Sequence, residues 1–126
     1  MKTTKTSIKK EGLVKGYYTD GKLESEIEYK NGMKDGMCVN WLRNGQMRAK
    51  GKFSKDKFTG PWTWWRENGE FLQVGPFKDG LQHGNWKRYH KNGVLMDEGE
   101  WVNGKRKGEW KFYDDKGVLT KTKNFK

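Results

Sequence analysis

Glycine recurs along this chain with a period of 24 residues. Sixteen of the 17 glycines occupy four positions of that period, and only Gly16 stands outside it. The four sets are Gly12, Gly36, Gly60, Gly84 and Gly108; Gly21, Gly45, Gly69, Gly93 and Gly117; Gly51, Gly75 and Gly99; and Gly32, Gly80 and Gly104. A fixed period of this length indicates tandem repeats, each of them one supersecondary unit stacked on its neighbours. We therefore predict a basic N-terminal segment at 1–11 and a repeat domain at 12–126, divided into 12–35, 36–59, 60–83, 84–107 and a shortened 108–126.

The large apolar side chains follow the same period. One set, called here the aromatic column, is Tyr17, Trp41, Trp65, Tyr89 and Tyr113. The others are Tyr29, Phe53, Phe77, Trp101 and Phe125; Trp62, Trp86 and Trp110, preceded by Val14 and Cys38; and Leu23, Met47, Phe71, Leu95 and Leu119. Because these sets recur in step with the glycines, the five repeats are expected to share one continuous core.

Each full repeat carries two turn signals, and the shortened last repeat carries the first of them. The first is Asp20–Gly21, Asn44–Gly45, Asn68–Gly69, Asn92–Gly93 or Lys116–Gly117, and the second is Asn31–Gly32, Lys55–Asp56, Asp79–Gly80 or Asn103–Gly104. Such dipeptides favour two-residue type I′ hairpin turns. The spacing between them leaves room for two short strands per repeat. The predicted fold is all-β, an elongated single antiparallel meander sheet of five hairpin repeats with roughly ten strands.

A two-residue turn at Asn68–Gly69 sets the register of the third hairpin. It places Arg66 opposite Phe71, Trp62 opposite Gly75 and Gly60 opposite Phe77. In the next repeat it places Trp86 opposite Gly99 and Gly84 opposite Trp101. A large ring facing a glycine is expected to lie flat over the bare backbone. Since opposed residues share a face, the core face is predicted to hold Trp62, Phe71, Gly75 and Phe77. The aromatic column is predicted on the other face, paired with Arg48, Leu72, Met96 and Thr120.

The spacing of these residues resembles a known repeat family. The segments that begin Gly60-Pro61-Trp62 and Gly84-Asn85-Trp86 and run to Asp79-Gly80 and Asn103-Gly104 resemble the MORN-variant repeat. The resemblance covers 12–126, and tandem arrays of this kind resemble the bacterial YwqK-type antitoxin family of toxin–antitoxin systems. It implies a hairpin-based sheet without a catalytic centre, whose members neutralise a toxin by binding it. Val14, Ile27 and Cys38 depart from the pattern, which suits a capping first repeat.

Composition restricts the class of protein further. Lysine and arginine number 27 against 16 acidic residues, for a net charge of +11. No long uncharged apolar run is present, so a membrane-spanning helix is not expected. A single cysteine, Cys38, rules out a disulfide scaffold. No targeting segment is apparent, and the expected location is the cytoplasm.

The candidate catalytic motifs favour structural interpretations. The stretch from Gly99 to Lys105 superficially matches a phosphate-binding loop, but it lies between two strands and lacks the following Ser or Thr. His83 and His90 lack companions at metal-ligand spacing. Cys38 stands in a tryptophan position and is read as a buried apolar filler. Asp114–Asp115 lead into a turn. We therefore expect no enzyme activity, no cofactor and no metal.

Two surface features carry the functional hypotheses. The aromatic column is either ordinary cross-strand packing or a stripe that docks a partner. Lys105, Arg106 and Lys107 are expected to form a compact basic cluster in the last full-repeat turn, with Lys87 and Arg88 nearby in sequence. These basic residues either keep the sheet soluble or attract an acidic partner.

The leading hypothesis from these features is a non-enzymatic antitoxin or immunity protein that occludes a toxin, with the aromatic column and the five basic residues as partner-binding residues. The alternatives are a scaffold or membrane-surface protein that binds anionic lipid, and a nonspecific nucleic-acid binder. The oligomeric state is left open, because an open sheet has two free edges.

Overall fold

The chain forms one antiparallel sheet in which strands that follow one another in sequence also lie side by side. The computed structural model describes residues 9–126, so most of the predicted basic segment at 1–11 lies outside the described residues. The strands are β1 Gly12–Tyr17, β2 Leu23–Lys30, β3 Met33–Trp41, β4 Met47–Ser54, β5 Lys57–Trp65, β6 Phe71–Lys78, β7 Leu81–Gln82, β8 Gly84–Tyr89, β9 Leu95–Val102, β10 Lys105–Tyr113 and β11 Leu119–Phe125. The predicted all-β meander is confirmed, with β7 and β8 arising from one strand position interrupted at His83.

The turns at the second signal of each repeat are two-residue turns, called here the short turns. Asn31 and Gly32 both have positive φ, 53° and 81°, as do Asp79 and Gly80 at 52° and 82°. Two successive positive φ angles define the type I′ turn, whose twist matches that of the flanking strands. Asn103–Gly104 and Lys55–Asp56 follow the same pattern.

The turns at the first signal, called here the long turns, differ from the prediction. In the third hairpin Gly69 donates its N–H to the carbonyl of Arg66 at 2.9 Å, and Arg66 donates to the carbonyl of Glu70 at 2.8 Å. Of the two central dipeptide residues only Gly69 has a positive φ, at 87°. This is a three-residue loop with a left-handed glycine, the other turn that an Asn-Gly dipeptide supports. All five hairpins close with the same pair of hydrogen bonds.

A bulge after each long turn restores the predicted register farther along the strands. Trp65 pairs with Phe71 while Trp64 pairs with Gln73, so Leu72 is an extra residue. The bulge offsets the longer turn, and Trp62 still pairs with Gly75.

The remaining predicted pairs farther from the turn are also found. They are Gly60 with Phe77, Trp86 with Gly99, and Gly84 with Trp101.

The same bulge changes which residues share a face next to the turn. Arg66 does not oppose Phe71, and Phe71 joins Trp65 on its face of the sheet, opposite to the face of Trp62. The predicted partners of the aromatic column are therefore wrong: Arg48, Leu72, Met96 and Thr120 are not the residues paired with it.

The core lies on the face that carries Trp62, Trp86 and Trp110, called here the inner face. Each of these side chains is only 2% exposed. Trp62 contacts Phe53, Phe58 and Trp64, with ring centroids 5.2, 4.7 and 5.4 Å away. The sheet therefore builds its core from rings packed along one face.

The tryptophan rings lie over glycine, but over the glycine of the preceding strand rather than the paired one. A Cβ on Gly75 would come within 2.1 Å of the Trp86 ring, and a Cβ on Gly51 within 2.1 Å of Trp62. Trp86 also donates its indole N–H to the carbonyl of Pro76 at 2.9 Å. Each ring thus needs a bare backbone beneath it and anchors itself to the same strand.

Candidate binding surfaces

The aromatic column lies on the face opposite to the tryptophan core, called here the outer face. Each column residue pairs with a large apolar residue just beyond the long turn. The pairs, called here the apolar band, are Tyr17 with Leu23, Trp41 with Met47, Trp65 with Phe71, Tyr89 with Leu95, and Tyr113 with Leu119. The long turn and its bulge create this band, because they bring the fourth apolar set onto the face of the aromatic column.

The band is partly open to solvent. Tyr17 is 57% exposed, Phe71 44% and Leu119 50%. The ring of Phe71 lies 6.1 Å from that of Trp65 and 5.6 Å from that of Tyr89, so it bridges two hairpins. Within residues 9–126 a single sheet is present, and no second layer covers this face. Cross-strand packing and exposure coexist along the band.

Side chains that follow the aromatic column tie neighbouring hairpins together at this edge. Tyr18 donates its hydroxyl to the carbonyl of Trp41 at 2.7 Å, and Arg66 donates Nη2 to the carbonyl of Tyr89 at 2.8 Å. His90 Nε2 lies 2.8 Å from the carbonyl of Tyr113. These bonds hold the backbone under the band in place. Sequence reasoning missed them, although the residues stand 24 apart like the other sets.

Tyr113 makes a polar contact at the far end of the band. Its hydroxyl donates to Glu98 at 3.0 Å. This hydrogen bond raises the pKa of the Tyr113 phenol, with desolvation and the Glu98 charge acting in the same direction. The phenol therefore stays protonated and keeps its donor on Glu98.

The predicted basic residues are divided between the two faces. Lys105, Arg106 and Lys107 begin strand β10 rather than form a turn, and successive residues alternate in direction. Lys105 and Lys107 lie on the outer face, where they pair with Val102 and Glu100, and Arg106 lies on the inner face. The expected compact cluster of three cations is therefore not present.

The other two predicted cations are separated in the same way. Lys87 lies on the outer face between Val74 and Glu98, whereas Arg88 lies on the inner face beside Asp97. Asp97 is 1% exposed and accepts hydrogen bonds from Arg88 Nε at 3.1 and 3.2 Å and from Nη2 at 2.5 Å. The hydrogen bonds with Asp97 raise the pKa of Arg88, with burial acting against them.

Sequence reasoning did not select Asp97. A signal was present in the sequence, because Asp97 is the one carboxylate among the five residues that share its position in the repeats. These residues are Ser25, Ala49, Gln73, Asp97 and Lys121.

The remaining candidates have structural roles where the structure describes them. His83 Nδ1 accepts the N–H of Asn103 at 3.2 Å. Asp114 Oδ1 accepts the N–H groups of Lys116 and Val118 at 2.9 and 3.0 Å, as an acidic turn residue does. Cys38 is 2% exposed, and burial raises the pKa of its thiol while the charge of Lys34 lowers it in part.

Neither a metal-binding group nor a membrane-spanning helix is found in the described part of the chain. Over 9–126, no three His, Cys, Asp or Glu side chains gather as a metal-binding group. In the same part of the chain, no helix has the length and apolar character to span a membrane.

The family of the chain follows from its sequence. The profile of the MORN repeat variant matches residues 10–31, 82–103 and 106–126, together slightly more than half of the chain. The chain therefore belongs to the MORN repeat variant family. Membership identifies it as a repeat protein and indicates a protein-binding role.

Comparison with other proteins adds little to this. No curated protein matches the chain. Among solved structures, the crystal structure of TarM is 13% identical over 79% of this chain and 20% of that chain, with a TM-score of 0.45. The crystal structure of the GtfA/B complex bound to UDP and GlcNAc is 14% identical over 85% of this chain and 21% of that chain, with a TM-score of 0.31. The chain spans about a fifth of the length of each.

Proposed function

We propose that this chain is a non-enzymatic antitoxin or immunity protein that neutralises a toxin by covering its active cleft with the outer face of the sheet. The apolar band carries the proposal. It combines aromatic rings at fixed spacing on a rigid backbone with exposure of Tyr17, Phe71 and Leu119. Aromatic residues held in this way contribute most of the energy at protein interfaces.

Charge favours an acidic partner. The chain has a net charge of +11, which attracts an acidic surface over long range and accelerates encounter. On the outer face Lys50 lies between Val39 and Thr63, and Lys105 faces Val102, so neither has an acidic residue directly opposite. These lysines remain free to pair with carboxylates of a partner, whereas Lys107 is matched by Glu100.

The resemblance to YwqK-type antitoxins supports the same function from an independent direction. The residues that carry this resemblance, such as Trp62 and Gly75, build the hairpins, so the resemblance describes the scaffold that presents the binding surface. The binding specificity depends on the band and the lysines around it, because a fold carries function through the sites on its surface.

The test begins with capture of a partner from a nuclease-treated native lysate, washed at low and high salt. A protein retained at high salt is then expressed alone and together with this chain. We expect the partner alone to arrest cell growth, and co-expression of this chain to restore growth. Phe71→Glu and Met47→Glu should abolish capture and recovery, because both residues are exposed members of the band.

Leu81→Glu is the matched control for these variants. Leu81 is 47% exposed and lies on the outer face, but at the short-turn end of the strands. It should leave capture unchanged. Retention of nucleic acid only, flotation with anionic vesicles only, or a captured protein without toxicity would contradict the antitoxin proposal.

A further inference from the structure

The inner face carries an ion pair between Arg88 and the buried carboxylate of Asp97. One row of residues crosses the strands with each member opposite the next: Ala49, Trp64, Gln73, Arg88, Asp97 and Phe112. The positions 24 residues before and after Arg88 are Trp64 and Phe112, so the row is aromatic on both sides of the ion pair. Phe58 lies nearer the short turns, and the residues 24 and 48 positions after it are Gln82 and Arg106. The same row continues to Asn40 and Ser25 on one side and to Lys121 on the other, so polar residues also occur elsewhere in it. What sets this region apart is the buried carboxylate of Asp97.

Arg88 binds Asp97 and still has N–H donors that this pair does not use. The carboxylate is buried and is bound by Nε and Nη2 of Arg88, whose side chain is itself 48% exposed. A guanidinium has five N–H donors, and this pair uses two of its nitrogens. Asp97 thus fixes the plane of Arg88 and neutralises its charge, while Nη1 remains without a partner among residues 9–126.

Arg106 is held by aromatic rings and not by an acid. Its guanidinium carbon lies 4.8 Å from the ring centroid of Trp110, 5.5 Å from that of Phe125 and 5.7 Å from that of Trp101. In the described part of the chain the ion pairs are Lys15 with Glu26 and Arg88 with Asp97, so Arg106 has no acidic partner there. Stacking on rings orients a guanidinium while leaving its N–H edge available.

Between these groups lies a cavity of about 160 Å³. Its walls are the rings of Trp86, Trp101 and Trp110, and its polar lining is Gln73, Gln82, Arg88, Asp97 and Arg106. At ~30 Å³ per water molecule, the space equals about five waters. It therefore suits one small group and not a whole cofactor.

We propose that this cavity is a carboxylate-binding site, with Arg106 as the charged anchor and Arg88 as a second donor. Two guanidiniums and one carboxylate leave one positive charge, which matches a planar monoanion. Guanidinium groups bind carboxylates through paired, charge-assisted hydrogen bonds. The site lies on the inner face and does not depend on the proposed function, which concerns the outer face.

The carboxylate has two sources, a free small acid or an acidic side chain of another polypeptide. ¹H–¹⁵N NMR of the full chain, read at the Arg Nε and Trp indole signals, distinguishes them at constant ionic strength. The titrants are sodium acetate, N-acetylglutamate amide, inorganic phosphate and acetamide. We expect saturable shifts at Arg88 and Arg106 with both carboxylates, no shift with acetamide and weaker binding of phosphate. Tighter binding of the glutamate derivative than of acetate would assign the site to a polypeptide side chain, and the reverse to a free acid.

Variants test whether the site or the overall charge is responsible. Arg106→Gln should weaken carboxylate binding by about tenfold or more, because a hydrogen bond to a charged group is lost. Arg106→Lys keeps the charge and most of the side-chain packing, and it should also bind more weakly because it lacks the fork. Lys107→Gln removes the same charge from the next residue on the opposite face and should have no effect. Absence of saturable shifts at Arg106, tighter binding of phosphate, or equal losses in Arg106→Gln and Lys107→Gln would each overturn the proposal.

Discussion

At the scale of single residues, the sheet depends on a match between one ring and one missing side chain. Trp86 is 2% exposed, and its ring occupies the space that a Cβ on Gly75 would need. The pair in the ladder is different, since Trp86 lies opposite Gly99. Ladder pairing and ring coverage therefore involve two different glycines, a distinction that mutants can resolve.

Trp86→Ala should lower the free energy of unfolding by about 3–5 kcal/mol, because a buried large aromatic is removed. Gly75→Ala should also be strongly destabilising in the wild type, but nearly neutral in the Trp86→Ala background, where no ring occupies the space. Denaturant unfolding of the four proteins in this cycle measures the coupling. Gly99→Ala is the control, since its Cβ would meet Trp110 at 2.2 Å. Its cost should persist in the Trp86→Ala background, and a loss of that cost would mean that Trp86 covers its ladder partner instead.

Cys38 reports on opening of the core. Burial raises the pKa of its thiol above the value in the unfolded chain. The protonated thiol is therefore favoured in the fold. Its contribution to stability is complete below the unfolded pKa and is lost as pH rises through the folded pKa.

Alkylation of Cys38 by iodoacetamide at mildly alkaline pH should be at least about a hundredfold slower in the folded chain than in urea. An opening that costs ~3 kcal/mol leaves less than ~1% of the thiol accessible. Mass spectrometry of the labelled chain measures the two rates. Equal rates would show that the first hairpins do not bury this side chain.

At the scale of elements, the sequence predicts the strands and most of their pairing but not the long turns. Glycine and aromatic spacing determine that Trp62 meets Gly75, because that pairing lies beyond both the turn and the bulge. Asn68–Gly69 is compatible with two turn types, which differ by one loop residue. The bulge at Leu72 has no dipeptide signature, so the face of Phe71 was predicted wrongly. The Arg88–Asp97 pair was missed for a different reason: the predicted register already places the two residues opposite each other, as Trp86 lies opposite Gly99, but Asp97 was not considered as a partner of Arg88.

Gly45 tests the conformation of the long turn. Its φ is +89°, and a Cβ would meet nothing within 4 Å. Gly45→Ala should therefore cost about 1–2 kcal/mol through backbone conformation alone. Gly45→Asn should cost less, because Asn tolerates the left-handed region. Thermal unfolding of both variants provides the comparison, and equal stability of Gly45→Ala and the wild type would contradict the observed turn.

At the scale of the whole molecule, the sheet formed by residues 9–126 has two edge strands, β1 and β11, and a middle that is protected on both sides. In repeat proteins each unit is stabilised by its immediate neighbours. The central cluster of Phe53, Trp62 and Phe77 lies between complete hairpins. By contrast, six of the seven residues of β11 are exposed. Stability is therefore expected to decrease toward the ends.

Hydrogen exchange monitored by mass spectrometry should show this gradient. Amides in β5 and β6 should exchange slowest, and those in β11 fastest among the strands, because β11 has one neighbour and few buried side chains. Uniform protection over all strands would indicate one cooperative unit. Strong protection confined to β1 or β11 would indicate that an edge pairs with a second copy of the chain.

The coverage of glycine by tryptophan also gives the array a direction. Gly51, Gly75 and Gly99 each stand eleven residues before a tryptophan, and the same position is Ile27 where Cys38 follows. The three hairpins that carry these glycines are thus shaped to receive their successor and not their predecessor. Removal of one internal 24-residue unit, such as 60–83, brings Trp86 to the position that Trp62 held over Gly51. A gene encoding such a chain can therefore lose or duplicate a unit such as 60–83 or 84–107 without creating an unmatched junction, and the span of the outer face can change in steps of one hairpin while its chemistry is kept.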